Sequence, residues 1–389
     1  MKILLTLDNP YESDNPYFRE LIDNIKKIDS EIEFDWGIKK FWANDSFDIV
    51  HIMFPYFLLK IGDKNEEHSL KELELRLQVL KNKNIKIVST CHNIVPHYKS
   101  NIEQIQSYDC VYRYSEHIYH LGDYSRWLFE KKYPNANNLL LEHPVYNDLY
   151  TEFPSREKAL KKLKLSSKYK YILCIGAFRD DEERKLICKI VKSFKKKKIK
   201  ILAPLFCKIK FKKNIFSLIK EVFTYIRYKI LFKRIVFTGK SVSDTLLSYY
   251  MSVSDVSLIQ MVKILNSGSL PLNYYFGNVV VGPNVGNVGE ILKKTGNPTF
   301  DVTDLNSLPV AIRAGFDLFY MGLGSENKKI AENNWLIKHI SDKQISYYKL
   351  LKISGWGGVL NEYILDKIYS GKINYSFMHS SLLFFKRGA

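Results

Sequence analysis

The chain has 389 residues, of which 46% are hydrophobic, so it can form two or three domains and is too apolar to be disordered throughout. No stretch approaches the roughly 18 apolar residues that a membrane-spanning helix needs, and the first apolar run ends at Asp8, too early for a signal-peptide core. Five scattered cysteines without a C-x-x-C pair indicate neither a disulfide framework nor a zinc site. We therefore expect a globular, cytoplasmic protein.

Through residues 1–150, short apolar segments typical of strands alternate with segments of helical periodicity. The first strand is expected at Lys2–Leu7 and the first helix at Pro16–Lys27. Further helices are expected at Leu70–Lys81, Ile102–Ser107 and Ser125–Lys132. Further strands are expected at Ile32–Phe34, Phe47–Phe54, Ile85–Thr90, Cys110–Tyr114 and Asn138–Leu141. This alternation predicts a doubly wound parallel sheet with helices on both faces.

The same pattern restarts after a lysine-rich helix expected at Ser155–Lys168. It predicts a second doubly wound domain over residues 151–333, followed by a helix with aromatic residues at Asn334–Leu351. Residues 353–389 show no assignable periodicity. The expected strands of this domain are Tyr171–Gly176, Lys200–Ala203, Ile235–Thr238, Asp255–Leu258 and Val279–Val281.

Two adjacent strand-to-helix turns of the second domain consist of small residues. Asn266-Ser267-Gly268-Ser269 follows one strand, and Gly286-Asn-Val-Gly-Glu290 follows the next. Ligands of such sheets bind outside the carboxyl ends of the strands, where helix N-termini attract anions. Gly and Asn are also ordinary turn residues, but two neighbouring turns of this kind favour a phosphorylated ligand.

Cations follow the first strand of the second domain. Arg179 comes directly after that strand, and Lys185 lies six residues further on. An Arg at this position could reach a diphosphate bound at the neighbouring turns, since its guanidinium group matches phosphate oxygens. The alternative for Lys185 is an ordinary surface ion pair with the acidic start of a helix.

These turns resemble the donor half of GT-B glycosyltransferases of the family 4 type, through Asn266–Ser269, Gly277–Val281 and Gly286–Glu290. The resemblance implies two Rossmann-like domains facing across a cleft, with residues 334–352 crossing back onto the first domain. It also implies a nucleotide-sugar donor of UDP or GDP type and no further cofactor. The donor contacts predicted in this way are Arg179, Lys185, Asn266, Ser267, Gly268, Ser269, Gly286, Asn287 and Glu290.

The chain departs from that family in its acidic residues. Many members have two glutamates eight positions apart, and Ile264 and Leu272 occupy those positions here. The family's usual ribose contact therefore cannot be assigned to a residue of this chain, and the resemblance does not imply that the reaction retains the anomeric configuration. The chain also lacks the Asp-x-Asp motif with which the other large glycosyltransferase fold binds a metal ion and the diphosphate. Charge stabilisation by Arg179, Lys185 and helix N-termini, without a metal, is the consistent expectation.

In the first domain, His92 ends a buried strand and should face the cleft, where it could hydrogen-bond a sugar hydroxyl or a developing charge. Its segment resembles the "HN-x-x-PH" turn of some polysaccharide glycosyltransferases, which makes His92 the candidate catalytic residue. Asn15, Tyr17 and His97 are the candidate acceptor-side residues. His51 and His143 are interpreted as structural.

The resemblance implies transfer of a sugar to a growing, lipid-linked bacterial surface glycan such as capsule, O-antigen or exopolysaccharide. Two alternatives stay open. One is another enzyme of GT-B shape, such as an epimerase or a phosphorylase, although no pyridoxal-phosphate lysine site can be identified. The other is a non-enzymatic protein that binds nucleic acid or a membrane, which only the charge suggests.

Most of the net charge of +18 comes from one segment: Lys192 to Arg234 contains fifteen Lys or Arg and a single acid, Glu221. Apolar residues recur there at helical spacing, which is typical of a basic amphipathic helix on an anionic membrane surface. Packing of that helix on the sheet is an alternative, and nucleic acid is a third, without a recognised binding module. The candidate membrane contacts are Lys208, Lys210, Lys212 and Lys213.

Overall fold

In this computed structural model the described residues are 1–13, 15–61, 66–96, 101–176, 178–207, 233–239 and 242–353, with single positions 219, 222, 223, 225, 226 and 228. Three groups of residues discussed above lie outside them: His97, the four candidate membrane lysines and residues 354–389. Within the described part of the chain, no helix is long and apolar enough to cross a membrane.

The first half of the chain forms a six-stranded parallel sheet in the order β2-β1-β3-β6-β7-β8, with a small antiparallel hairpin of β4 and β5 beside it. The strands are β1 (Lys2–Leu5), β2 (Glu33–Trp36), β3 (Ile49–Ile52), β4 (Lys60–Ile61), β5 (Glu66–Glu67), β6 (Lys86–Cys91), β7 (His117–His120) and β8 (Asn137–Leu140). The helices are α1 (Tyr17–Ile28), α2 (Ile38–Ala43), α3 (Leu70–Asn82), α4 (Ile102–Tyr114) and α5 (Asp123–Lys132).

The second half forms another six-stranded parallel sheet, in the order β11-β10-β9-β12-β13-β14. Its strands are β9 (Lys170–Leu173), β10 (Ile199–Leu202), β11 (Ile235–Val236), β12 (Val256–Leu258), β13 (Val279–Pro283) and β14 (Thr299–Phe300). The helices are α6 (Arg156–Lys162), α7 (Asp181–Ser193), α8 (Asp244–Val253), α9 (Ser269–Tyr275), α10 (Gly286–Lys294), α11 (Ser307–Tyr320), α12 (Leu323–Asn334) and α13 (Ile337–Ile353). The predicted fold class, two doubly wound parallel sheets, is confirmed.

Side-chain caps determine where several helices begin. The side chains of Ser69 and Asn101 each accept a hydrogen bond from the backbone N–H three residues further on. The side chains at those positions, Glu72 and Gln104, accept a hydrogen bond from the backbone N–H of the capping residue, which completes capping boxes at α3 and α4. The strand expected at Cys110–Tyr114 is wrong, because these residues are the last turn of α4. Cys110, Val111 and Tyr112 are buried on that helix, and an apolar run of this length does not distinguish strand from buried helix.

Helix α13 joins the two halves. It packs on α1, and Lys343 and Tyr347 attach it to the end of β8, through an ion pair with Glu142 (2.8 Å) and a hydrogen bond to the carbonyl of Leu140 (2.7 Å). Its buried side chains share one apolar cluster with residues of both sheets. Burial of each large apolar side chain contributes about 1.5–3 kcal/mol, so this packing holds the helix firmly on the first half.

Candidate functional site

The carboxyl ends of the two sheets meet, and the first contact is made by the turn after β12. The side-chain amide of Asn266 donates to the carbonyl oxygens of Cys91 (3.2 Å) and His92 (2.9 Å), which end β6 in the first half. The turn predicted to approach a phosphate therefore lies directly against the loop that holds the predicted catalytic histidine. Residues 175 positions apart in sequence come together here.

On the first-domain side, His92 lies in an aromatic cluster. Its ring stacks on Phe54 (centroids 4.9 Å apart, 25° between planes) and meets the edge of Tyr17 at 5.5 Å. Tyr17 is buried, and burial raises the pKa of its hydroxyl well above the usual range, so the phenol stays protonated. The side chain of Asn15 is exposed and accepts a hydrogen bond from the backbone N–H of Tyr17 (3.1 Å) at the start of α1.

His143 also belongs to this cluster, although the sequence analysis interpreted it as structural. It follows β8, and its ring lies 4.9 Å from that of Tyr17. Nδ1 lies 3.0 Å from the carbonyl oxygen of Pro144; because a carbonyl only accepts, Nδ1 carries the proton and Nε2 is the basic nitrogen. Burial lowers the pKa of His143 to about 4, so the ring is neutral at neutral pH. The feature of the sequence that could have indicated a site role for His143 is its position just after the strand expected at Asn138–Leu141.

The Asn266–Ser269 turn presses against His143. Gly268 has helical backbone angles, and a Cβ built on it would lie 2.9 Å from Nε2 of His143. The hydroxyls of Ser267 and Ser269 hydrogen-bond to each other at 2.8 Å. A narrow cavity beside this contact is lined by Glu142 and His143 of the first half and by Asn266 and Ser267 of the second. His143 is thus reachable from the junction between the domains.

The next turn, at the start of α10, contacts the first half through side chains. Asn287 donates to Asn266 Oδ1 (2.6 Å) and to Ser125 Oγ (3.0 Å), and its own Oδ1 accepts from the backbone N–H of Ser125 (2.9 Å). Gly286 has a φ of +59°, and a Cβ there would lie 2.8 Å from the carbonyl oxygen of Ile264. Glycine is therefore required at this position for both backbone and packing reasons.

Two more residues of α10 meet the N-terminus of α5. The carboxylate of Glu290 accepts a hydrogen bond from the backbone of Asp123, while burial and the nearby Asp123 carboxylate raise the pKa of Glu290. Lys294 forms an ion pair with Asp123 at 3.1 Å. In this arrangement Asn287 and Glu290, both predicted donor contacts, face the first half of the protein across the junction. The contribution of Ser125 and Asp123 was missed by the sequence analysis.

Arg179 and Lys185 follow β9, the strand that pairs with β12. Both side chains are exposed. The backbone N–H of Arg179 donates to Glu183 (2.8 Å), and Asp180 caps α7. Arg184, between them, is instead bound within the fold, for example to the carbonyl of Phe206 (3.2 Å). Arg179 and Lys185 are thus exposed cations that follow the carboxyl end of β9.

Gln260 is a further polar residue at this edge that the sequence analysis missed. It follows β12 and is completely buried; its amide nitrogen lies 3.4 Å from the carbonyl oxygen of Ile175, at the end of β9. Its Oε1 has no hydrogen-bond partner among the described residues. Among those residues there is also no group of three or more His, Cys, Asp or Glu side chains that could hold a metal ion.

No protein-family model matches this sequence, and a search of curated proteins finds no match. Solved structures do match over nearly the whole chain. Sucrose-phosphate synthase from Thermosynechococcus elongatus superposes with a TM-score of 0.69 at 12% identity, covering 91% of this chain and 99% of that one. The protein has the GT-B fold. HepE of Anabaena, solved with UDP-glucose, gives a TM-score of 0.65 at 11% identity and covers 90% and 99%.

The same fold likeness extends to a protein with a different described activity. A putative UDP-N-acetylglucosamine 2-epimerase from Listeria monocytogenes gives a TM-score of 0.53 at 10% identity, covering 90% of this chain and 95% of that one. At such identities the likeness concerns architecture. What the site does must therefore be argued from its own residues.

Proposed function

We propose that the protein transfers a sugar from a nucleoside-diphosphate sugar to a hydroxyl group of a glycan acceptor, and that this acceptor is a lipid-linked bacterial surface glycan. The observation that carries the proposal is the meeting of the Asn266–Ser269 turn with the loop of His92, at the carboxyl ends of two facing parallel sheets. That edge is where doubly wound sheets bind nucleotides. The structural relatives solved with UDP-glucose and with UDP support the same donor class.

In the proposed reaction the acceptor oxygen forms a bond to the anomeric carbon while the bond from that carbon to the diphosphate oxygen breaks. The nucleoside diphosphate leaves with the electron pair of the broken bond, and the proton of the acceptor hydroxyl is released to solvent. Arg179 and Lys185 offset the charge that develops on the leaving diphosphate, together with the small-residue turn and its backbone N–H groups. His92, in its aromatic cluster, hydrogen-bonds the sugar or the attacking hydroxyl.

The donor is tested directly by thermal stabilisation. A ligand at a hundred times its Kd adds about 2.7 kcal/mol to the free energy of unfolding, so a panel of UDP-sugars and GDP-sugars should reveal one class that raises the melting temperature. Arg179→Ala should weaken that binding by about 1.5–3 kcal/mol and leave the melting temperature of the free protein nearly unchanged. Lys192→Ala, an exposed cation at the other end of α7, is the matched control.

Sugar transfer and epimerisation give different products from the same donor. With the stabilising nucleotide sugar and no acceptor, an epimerase converts the sugar moiety to its epimer, which NMR detects, whereas a transferase leaves it intact or slowly hydrolyses it. Activity with acceptor should survive EDTA, because the proposed charge stabilisation uses cations of the chain. Epimer formation, or equal nucleotide affinity of Arg179→Ala and Lys192→Ala, would contradict the proposal.

A further inference from the structure

The basic segment between Lys192 and Arg234 shows an apolar surface that faces solvent. The described positions between 219 and 228 are helical. Ile219, Val222, Phe223 and Ile226 are 60%, 37%, 68% and 50% exposed. Their spacing of three, four and seven residues places them on one face of a helix. These four apolar side chains therefore face solvent, whichever side of the helix packs on the domain.

The opposite side of the same helical stretch is attached to the second domain. The ring of Tyr225 meets Phe237 at 5.1 Å, and the ring of Tyr228 meets Phe206 at 5.3 Å. Phe237 and Phe206 are buried in the apolar core around the second sheet. The two tyrosines hold the stretch on the domain, so the four outward side chains form a fixed apolar stripe.

The segment that contains this stripe is strongly basic in sequence. The segment contains fifteen Lys and Arg and a single acid, Glu221. Its described lysines at 195–198 and 233 are exposed. Arg234 donates to the carbonyl oxygens of Phe194 (2.6 Å) and Lys197 (2.9 Å), which ties the end of the segment to the exposed lysines at its beginning. The two ends of the basic segment therefore meet on the second domain, which also carries the apolar stripe.

We propose that this region docks the protein on an anionic lipid bilayer. Ile219, Val222, Phe223 and Ile226, the docking stripe, insert among the acyl chains near the headgroups, and the lysines contact anionic headgroups. Large apolar side chains on one face together with abundant lysine match such a surface. A soluble protein partner would match the apolar side chains but leave the excess of fifteen cations over one acid without a counterpart. The proposal concerns where the protein acts and does not depend on sugar transfer.

The test is co-sedimentation of the full-length protein with vesicles. Wild type should bind vesicles containing one third phosphatidylglycerol, bind neutral phosphatidylcholine vesicles far less, and dissociate as salt rises. Ile219→Ser with Phe223→Ser should weaken binding to the anionic vesicles by about tenfold or more. Both side chains are exposed, so the variant should fold. Tyr320→Ser with Met321→Ser, which removes two exposed apolar residues elsewhere on the same domain (62% and 79% exposed), should bind like wild type.

A second variant tests the charge. Replacing the lysines at 195–198 by Gln should also reduce binding to anionic vesicles, while leaving any weak binding to neutral ones unchanged. The proposal is overturned if the Ile219/Phe223 variant sediments with vesicles like wild type. It is also overturned if wild type binds duplex DNA more tightly than anionic vesicles at matched salt. The proposal is also overturned if ultracentrifugation shows that wild type is a dimer and that the sole effect of the Ile219/Phe223 changes is to convert this dimer to a monomer.

Discussion

At the scale of single residues, the contact between Gly268 and His143 explains why the turn after β12 contains a glycine. The backbone of Gly268 is in the right-handed helical region (φ −64°, ψ −18°), which any residue adopts. The requirement is instead spatial, because a Cβ would lie 2.9 Å from Nε2 and 3.1 Å from Cε1 of His143. The hydrogen bond from Nδ1 to Pro144 restrains the imidazole, so it cannot easily move away.

Gly268→Ala should therefore destabilise the protein by roughly 1–3 kcal/mol and cost much less in a His143→Ala background, where the space is open. Urea unfolding of the two single variants and the double variant measures this coupling, which we expect to be about 0.5–3 kcal/mol. Gly268→Val should abolish sugar transfer, since the larger side chain also blocks the approach of a phosphate. Ser267→Ala is the control for stability. Additive effects of the Gly268 and His143 changes would refute the steric account.

At the scale of elements, α13 is attached to the first sheet through a buried chain of hydrogen bonds. The amide nitrogen of Gln344 donates to the hydroxyl of Tyr348 (2.6 Å), and this hydroxyl forms a hydrogen bond with Nδ1 of His51 (2.6 Å). The other ring nitrogen of His51, Nε2, forms a hydrogen bond with Oγ1 of Thr90 (2.8 Å). Sequence periodicity indicated the helix, but nothing in it indicated this network between a terminal helix and the centre of the first sheet.

Tyr348→Phe removes one oxygen from this chain and leaves Nδ1 of His51 without its hydrogen-bond partner in the interior. An unsatisfied buried polar group costs about 1–3 kcal/mol, so the free energy of unfolding in urea should fall by that amount. Tyr320→Phe removes a hydroxyl from an exposed ring and is the matched control. A loss no larger for Tyr348→Phe than for Tyr320→Phe would show that the network does not stabilise the docked helix.

At the scale of the whole molecule, the fold could be predicted from the sequence because it depends on a local pattern. Short apolar strands such as Val279–Val281 and helices with regular periodicity are recognisable from neighbouring residues alone. The meeting of Asn266 with Cys91, and of Asn287 with Ser125, depends on how two distant segments approach each other. No local pattern contains that information. The sequence therefore indicated where the strand-to-helix turns lie but not that Asn287 and Glu290 face the other domain.

Four histidines of the first half are buried and uncharged at neutral pH. Burial lowers the pKa of His51 and His117 to about 3 and that of His120 and His143 to about 4, from an ordinary value of 6.5. In the unfolded chain these rings bind protons below about pH 6.5, whereas in the folded protein they do not until much lower pH. Their contribution to stability is thus complete above about pH 6.5 and declines as the pH falls toward 4 and 3.

We therefore expect the free energy of unfolding to fall steeply between pH 6.5 and about pH 5, by about 1 kcal/mol per pH unit for each proton taken up on unfolding. Burial raises the pKa of Glu183 and Glu290, and a raised carboxyl pKa acts on the pH dependence of stability in the opposite sense. Urea unfolding across this range measures the slope. His117→Phe, at a ring whose Nδ1 has no hydrogen-bond partner among the described residues, should reduce the slope by one proton. A flat profile, or an unchanged slope in His117→Phe, would show that the buried rings do not control the acid stability of the fold.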